Sequence, residues 1–218
     1  MYQLYGAPNV ASFAPHICLI KAGVNFEFIQ VDMVNKEQHG DAYKAMNPTG
    51  RIPVLIDKGI ATKPLIIFET AATCLHIADR HLDANLFPAL GTVERATAYK
   101  WLMFLTNTMQ TELLVFHYAD RYTSDINCVP ANKARMAERI ADMFTVMAAE
   151  RAIGDGFLAG KAPSICDYFL FMLSEWAHSF NLKNGPMSHP TLVNYLTRVK
   201  ALPEIQETIA REGFTPVI

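Results

Sequence analysis

The stretch from Asn47 to Thr70 constrains this chain's folding more tightly than any other. Asn47-Pro48-Thr49-Gly50-Arg51-Ile52-Pro53 excludes a continuing helix, and Val54, Leu55 and Ile56 then form a short β-rich run. Pro53 stands at the very start of that run, where a missing N–H harms a sheet least. Proline also tolerates a cis peptide bond. A cis Ile52-Pro53 bond would turn the Ile52 N–H and C=O out of the sheet. A ligand with peptide bonds could then pair with them as an added strand. The plainer alternative is a proline-flanked loop entering an edge strand.

The sequence continues with Pro64, an apolar strand Leu65-Ile66-Ile67-Phe68, then Glu69-Thr70 ahead of a helical stretch from Ala71 to Asp79. Thr70 is read as the N-cap, with the free N–H groups of the first turn aimed at one point. Such a terminus suits a carboxylate, and Glu69 beside it suits an ammonium. Together they would clamp an amino-acid zwitterion. An ordinary helix cap with an acidic neighbour has the same pattern.

Upstream, Gln3 to Tyr5 reads as a strand, Ala11 to Ala22 as a helix ended by Gly23, and Phe26 to Val31 as a second strand. His39 to Met46 is a short helix stopped by Asn47-Pro48. The resulting order, β-α-β-α-β-β-α, resembles a thioredoxin-like α/β domain over residues 1–81. Residues 82–91 break periodicity and serve as a linker, and residues 92–218 read as an all-α domain. There Ala98, Leu102, Leu105, Met109, Leu113 and Phe116 recur at helical spacing after a capping Thr92. Met136, Ile140, Met143 and Met147 form a second stripe, read as core. Ser164 and Asp167 have capping-box spacing, which makes Asp167 structural and half-buried.

The turn-strand-strand-Glu-Thr arrangement resembles the glutathione-binding half of cytosolic glutathione transferases. Leu4-Tyr5-Gly6-Ala7-Pro8-Asn9-Val10-Ala11-Ser12-Phe13-Ala14-Pro15-His16 is most similar to the bacterial beta-type branch. Val31-Asp32-Met33 with Lys36 behind it, and Ser164-Ile165-Cys166-Asp167, extend the resemblance over nearly the whole chain. The resemblance implies a transferase that binds glutathione as co-substrate, stabilises its thiolate and adds it to a small electrophile. It also implies a homodimer and a role in detoxification. By the resemblance, Ile52, Pro53, Glu69 and Thr70 grip the tripeptide, while Lys36 and Arg51 meet its glycyl carboxylate; either cation also reads as a solvated surface charge.

The sequence departs from its relatives at two places. Ala11 stands where beta-type enzymes usually carry a cysteine, and Gln110 falls near an expected histidine. Both argue against a mixed disulfide with the protein. A free thiol with a pKa of about 8.5 is only a few per cent thiolate at neutral pH, and lowering it by ~2 units takes roughly 2.7 kcal/mol. Ser12 is the first choice of donor, with Asn9 and Tyr5 as alternatives; Ser12 also reads as a plain N-cap. Met103, Asn107 and Gln110 are candidates to line an electrophile pocket in the helical half. Two alternatives stand beside the transferase: a glutathione-dependent isomerase or peroxidase, and a non-catalytic glutathione-binding protein.

Composition narrows the field further. A net charge of −2 gives no basic excess for nucleic acid or an anionic membrane surface. No apolar run is long enough to span a bilayer, and no signal peptide is visible at the start. Cys18, Cys74, Cys128 and Cys166 are widely spaced, without metal-ligand spacing, which fits no metal site and a reducing, cytoplasmic compartment.

Overall fold

In the computed structural model, which describes residues 1–150, 153–154 and 156–218, the first strand follows from alternation. Along β1 (Tyr2–Gly6), positions 2, 4 and 6 are buried and 3 and 5 half-buried. β1 pairs in parallel with β2 (Phe26–Gln30) and antiparallel with β3 (Val54–Asp57), which pairs antiparallel with β4 (Leu65–Phe68). The sheet order is β2-β1-β3-β4. Helices α1 (Phe13–Lys21), α2 (Asp41–Lys44) and α3 (Thr70–Arg80) complete the expected β-α-β-α-β-β-α order. Gly23, at φ +64, ends the first helical stretch as the sequence suggests.

Leu4, Phe13, Ile17, Cys18, Leu55, Cys74 and Ile77 are all fully buried in this layer. Each large side chain buried there contributes roughly 1.5–3 kcal/mol. This core fixes β1, β3 and α1 against α3.

The chain divides into two units by contact. The first comprises Met1–Phe87 with Pro203–Thr215, and the second Pro88–Leu202 with Pro216–Ile218. The sequence assigns everything after residue 92 to the helical half, so α9 (Pro203–Glu212) is a difference. Its buried face, Ile205, Thr208 and Glu212, packs in the first unit, where Glu204 also meets Lys21 at 3.3 Å and Glu212 meets His16 at 2.8 Å. Sequence periodicity shows that a helix has a covered face but not what covers it.

The second unit is helical. α4 (Val93–Met103) begins at Thr92, whose hydroxyl accepts the Arg95 N–H at 3.1 Å as expected. The helix widens into a π-helical segment, Phe104–Gln110, before α5 (Thr111–His117). Ala98, Leu102, Leu105, Met109 and Leu113 are fully buried along it. In α6 (Val129–Ala148) Ile140, Met143 and Met147 of the expected stripe are buried, with Phe144 beside them, while Met136 is half-buried, so the stripe is core from Ile140 onward. α7 (Ile165–Ser179) starts with a complete capping box. Asp167 is fully buried there, deeper than half. Its carboxylate accepts the N–H groups of Leu158 and Ser164 at 2.9 and 2.7 Å and a hydrogen bond from the Tyr195 hydroxyl. Burial pushes that carboxyl above its usual range, and these bonds pull against it. α8 (Pro190–Lys200) follows. Among the described residues no helix is long and apolar enough to cross a membrane.

Candidate active site

Strand register decides which residues meet. Tyr5 on β1 pairs with Val54 on β3, and Val54 pairs with Phe68 on β4. The C-terminal ends of β1 and β4 therefore flank the start of β3. The segments beyond those ends, residues 7–12, 51–53 and 69–70, converge at one edge of the first unit. Thr70 closes the set, donating its hydroxyl to the Ala11 carbonyl at 3.1 Å.

The turn before β3 is built on Asn47, which is almost fully buried. Its side-chain N–H donates to the Arg51 carbonyl at 2.6 Å, and its Oδ1 accepts from the Thr49 N–H and hydroxyl at 3.1 and 2.8 Å. The Tyr43 hydroxyl donates to the same Arg51 carbonyl at 3.1 Å, and burial pushes its phenol above the usual range. Gly50 is required there: it sits at φ +63, and a Cβ would lie 2.7 Å from His39 Nδ1 and 3.1 Å from the Gln38 carbonyl. That close approach sets the segment carrying Lys36 against the turn carrying Arg51. Both cations are exposed. The Ile52-Pro53 bond is cis, and the ladder with β1 begins only at Val54.

At α3 the structure shifts the reading by one residue. The helix begins at Thr70, and Glu69 occupies the cap position without a side-chain cap bond. Thr70 is thus inside the first turn, and its hydroxyl serves Ala11 instead of its own helix. Glu69 holds φ +74 and ψ +119, outside the regions open to a residue with a Cβ. Such a conformation costs about 1–3 kcal/mol and persists only where its surroundings enforce it. Helix geometry leaves the N–H groups of residues 70–72 without acceptors inside the helix, next to an exposed carboxylate at Glu69. This is an anion-favouring helix mouth with a cation-favouring neighbour.

Ser12 is tied to the end of β1. It is fully buried, donates its hydroxyl to the Ala7 carbonyl at 3.0 Å and accepts the Ala7 N–H at 3.1 Å. A Cβ on Gly6 would lie 2.3 Å from Ser12 Cβ and Oγ, so the hydroxyl is packed against the strand end. Its proton lies on the Ala7 carbonyl, which closes the turn after β1.

Sequence reasoning missed what anchors the 7–12 segment. Glu212 of α9, itself buried, accepts the Asn9 backbone N–H at 2.8 Å on one oxygen and meets His16 Nδ1 at 2.8 Å on the other. Asn9 stands in the left-handed region at φ +53. His16 stacks on Phe28 at 4.7 Å between ring centroids. The only hint in the sequence is a lone histidine in the apolar α1, which does not name its partner.

In the second unit Met103 is 43% exposed, and Asn107 lies one turn along with its side-chain nitrogen 3.9 Å from the Met103 sulfur. Gln110, half-buried, ends the π-helical segment. The three share one stretch of helix, and π-helical turns recur at functional sites. Among the described residues no group of three or more His, Cys, Asp or Glu side chains could hold a metal ion.

Comparison with known proteins gives two family matches. The model for "Glutathione S-transferase, N-terminal domain" matches residues 1–79, and that for "Glutathione S-transferase, C-terminal domain" matches residues 111–212. Glutathione S-transferase GstA of Escherichia coli O157:H7 is 24% identical over 97% of this chain and 98% of its own length. A sphingomonad glutathione S-transferase, solved with glutathione, is 25% identical with a TM-score of 0.80, covering 98% of this chain and all of that one. A Sulfitobacter glutathione transferase homologue with bound glutathione shares the fold at a TM-score of 0.86, with 21% identity over 99% of both chains.

Proposed function

Because this chain belongs to the glutathione S-transferase family, we propose that it binds glutathione at the edge formed by residues 7–12, 51–53 and 69–70 and transfers it to a small electrophile. The observation that carries this reading is the α3 mouth, where Glu69 is held at φ +74 beside the free N–H groups of the first turn. The γ-glutamyl carboxylate sits on those N–H groups and its ammonium on Glu69. The peptide backbone pairs with Ile52, next to Pro53. The glycyl carboxylate lies toward Lys36 and Arg51, whose segments the Gly50 turn sets together.

The sulfur falls at residues 9–12, at the mouth of α1. With the Ser12 hydroxyl committed to Ala7, thiolate stabilisation rests on backbone N–H groups and the helix dipole. The thiol proton leaves to water, the sulfur pair forms a C–S bond, and the electrophile's leaving group departs or its π-bond takes the electrons. Met103, with the amides of Asn107 and Gln110 on the same stretch of helix, offers one apolar and two polar groups to a small electrophile. The exposed Leu65, Ile66 and Phe68 of β4 support a homodimer. The free cysteines, Cys18, Cys74 and Cys166 buried among them, support a reducing cytoplasm.

The sealed Ser12 favours one second reading, a protein that binds glutathione without activating it. Titrating the thiolate absorbance of bound glutathione separates the two. A midpoint well below about 8.5 supports transfer. Binding with an unshifted midpoint supports the non-catalytic protein, and failure to bind immobilised glutathione removes both.

A further inference from the structure

Glu212 is a carboxylate in an apolar place. It ends α9, whose covered face also carries Ile205 and Thr208, and it is itself buried. The residues it meets, His16 and Asn9, belong with it to the first unit. Covering α1 asks only for an apolar side chain of that size, and a buried carboxylate is costly unless its oxygens are satisfied. Covering alone therefore does not account for a glutamate here. Its two oxygens serve different elements. Oε1 meets Nδ1 of His16 in α1 at 2.8 Å, and Oε2 accepts the backbone N–H of Asn9 in the loop after β1, also at 2.8 Å.

The helical side of this bridge is firmly seated. His16 stacks on Phe28 and stands edge-on to Phe26 at 5.3 Å between centroids. Glu204, at the other end of α9, meets Lys21 of α1 at 3.3 Å, and Phe214 just beyond the helix packs edge-on against Phe13 at 5.5 Å. Asn9 is the softer partner. Its φ of +53 lies in a region that few residues with a Cβ enter. Such a conformation persists where its surroundings hold it, and the bond from its N–H to Glu212 does so. Two and three residues further on, at the mouth of α1, the N–H groups of Ala11 and Ser12 meet no acceptor among the described residues.

We infer that Glu212 is a positioning residue for the backbone donors that meet the glutathione sulfur. By holding Asn9 in its left-handed turn, it fixes the loop that carries the Ala11 and Ser12 N–H groups. Its negative charge works the other way, since a like charge disfavours a nearby thiolate. Geometry and charge therefore act with opposite sign and can be separated. That Glu212 holds the loop stands by itself; that the loop meets a sulfur rests on the glutathione reading.

The test compares the full chain with Glu212→Asp and Glu212→Gln. Aspartate keeps the charge but is one methylene shorter, so it cannot reach His16 and Asn9 together. Glutamine keeps the length and an acceptor oxygen for Asn9, drops the charge, and turns its NH2 toward His16. Two quantities are read: the pH midpoint of the thiolate absorbance of bound glutathione, and amide exchange at residues 9, 11 and 12 without ligand. Glu212→Asp should raise the midpoint by about half to one pH unit, which is roughly a three- to tenfold loss of thiolate below it, and speed exchange about tenfold. Glu212→Gln should leave exchange slow and the midpoint at or below that of the full chain. Faster exchange in Glu212→Asp with an unmoved midpoint would overturn the inference and leave the transferase reading standing. So would a midpoint that rises in Glu212→Gln while exchange stays slow. If Glu212→Asp does not fold, Glu212→Gln and the full chain carry the test, and an Asn9 amide that exchanges like an open loop in the full chain overturns it. A full chain that ignores glutathione, or binds it with the free midpoint, sinks the transferase reading and the sulfur's part in the inference; exchange at Asn9 then still decides whether Glu212 holds the loop.

Discussion

Glu212 and His16 stand 196 positions apart in the chain and meet at 2.8 Å with almost no exposure to solvent. The second Glu212 oxygen holds the Asn9 N–H, so one carboxylate serves both the loop after β1 and the helix that follows it. Removing it strands a buried imidazole and a backbone donor together. Glu212→Ala should therefore cost about 3–5 kcal/mol, read from urea midpoints at constant m-value. A loss under 1 kcal/mol would mean that the pair is incidental.

Ser12→Ala separates a structural hydroxyl from a chemical one. Deleting it leaves the Ala7 N–H and carbonyl without their partner, at about 1–3 kcal/mol of stability. The thiolate titration of bound glutathione should stay where it was. A rise of that midpoint toward the free value would restore Ser12 as the sulfur's donor.

Glu69→Gly should raise stability and lower affinity at once. Glycine accepts φ +74 without the strain that a Cβ brings, a gain of about 1 kcal/mol. The same change removes the carboxylate assigned to the ligand's ammonium, and glutathione binding should weaken about tenfold or more. Denaturation and calorimetry on one sample check both halves, and unaltered affinity would count against the zwitterion clamp.

Acid should loosen the far end of the same sheet. Asp57 of β3, at 1% side-chain exposure, accepts from His76 at 2.9 Å and the Gly59 N–H at 2.8 Å, with Arg80 at 3.6 Å. Burial alone would raise its carboxyl, but the His76 and Gly59 bonds and the two neighbouring cations outweigh that and hold it below its usual value. A carboxyl lowered on folding adds stability that is whole above the unfolded pKa, near 4, and drains away as pH falls through the lower folded value. Urea midpoints should fall below about pH 4, and Asp57→Asn should flatten that part of the curve. An identical slope in the variant would assign the acid loss elsewhere.

How much was legible in the sequence divides along physical lines. Periodicity and capping chemistry are local, and the order of strands and helices along the first domain, the Thr92 cap, the Ser164–Asp167 box and the Met143–Met147 core stripe could be read from neighbouring residues. The turn at Asn47–Pro53 was equally local, since proline and glycine fix backbone angles by themselves. Thr70 was off by one because a hydroxyl that can cap its own helix can also bond a distant carbonyl, here that of Ala11. Ser12 illustrates the larger limit: residue type announces a possible donor, while burial and the Ala7 partner decide whether its proton is free. Glu212 was illegible because its meaning lies in a partner 196 positions away along the chain.

The placement of α9 bears on how the protein is made. Synthesis proceeds from the N-terminus, and domains commonly fold as they emerge. Here the sheet and its first three helices leave the ribosome well over a hundred residues before the helix that packs on α1. Until then His16 and the Asn9 N–H lack Glu212, and the nascent α/β half lacks the helix that covers α1.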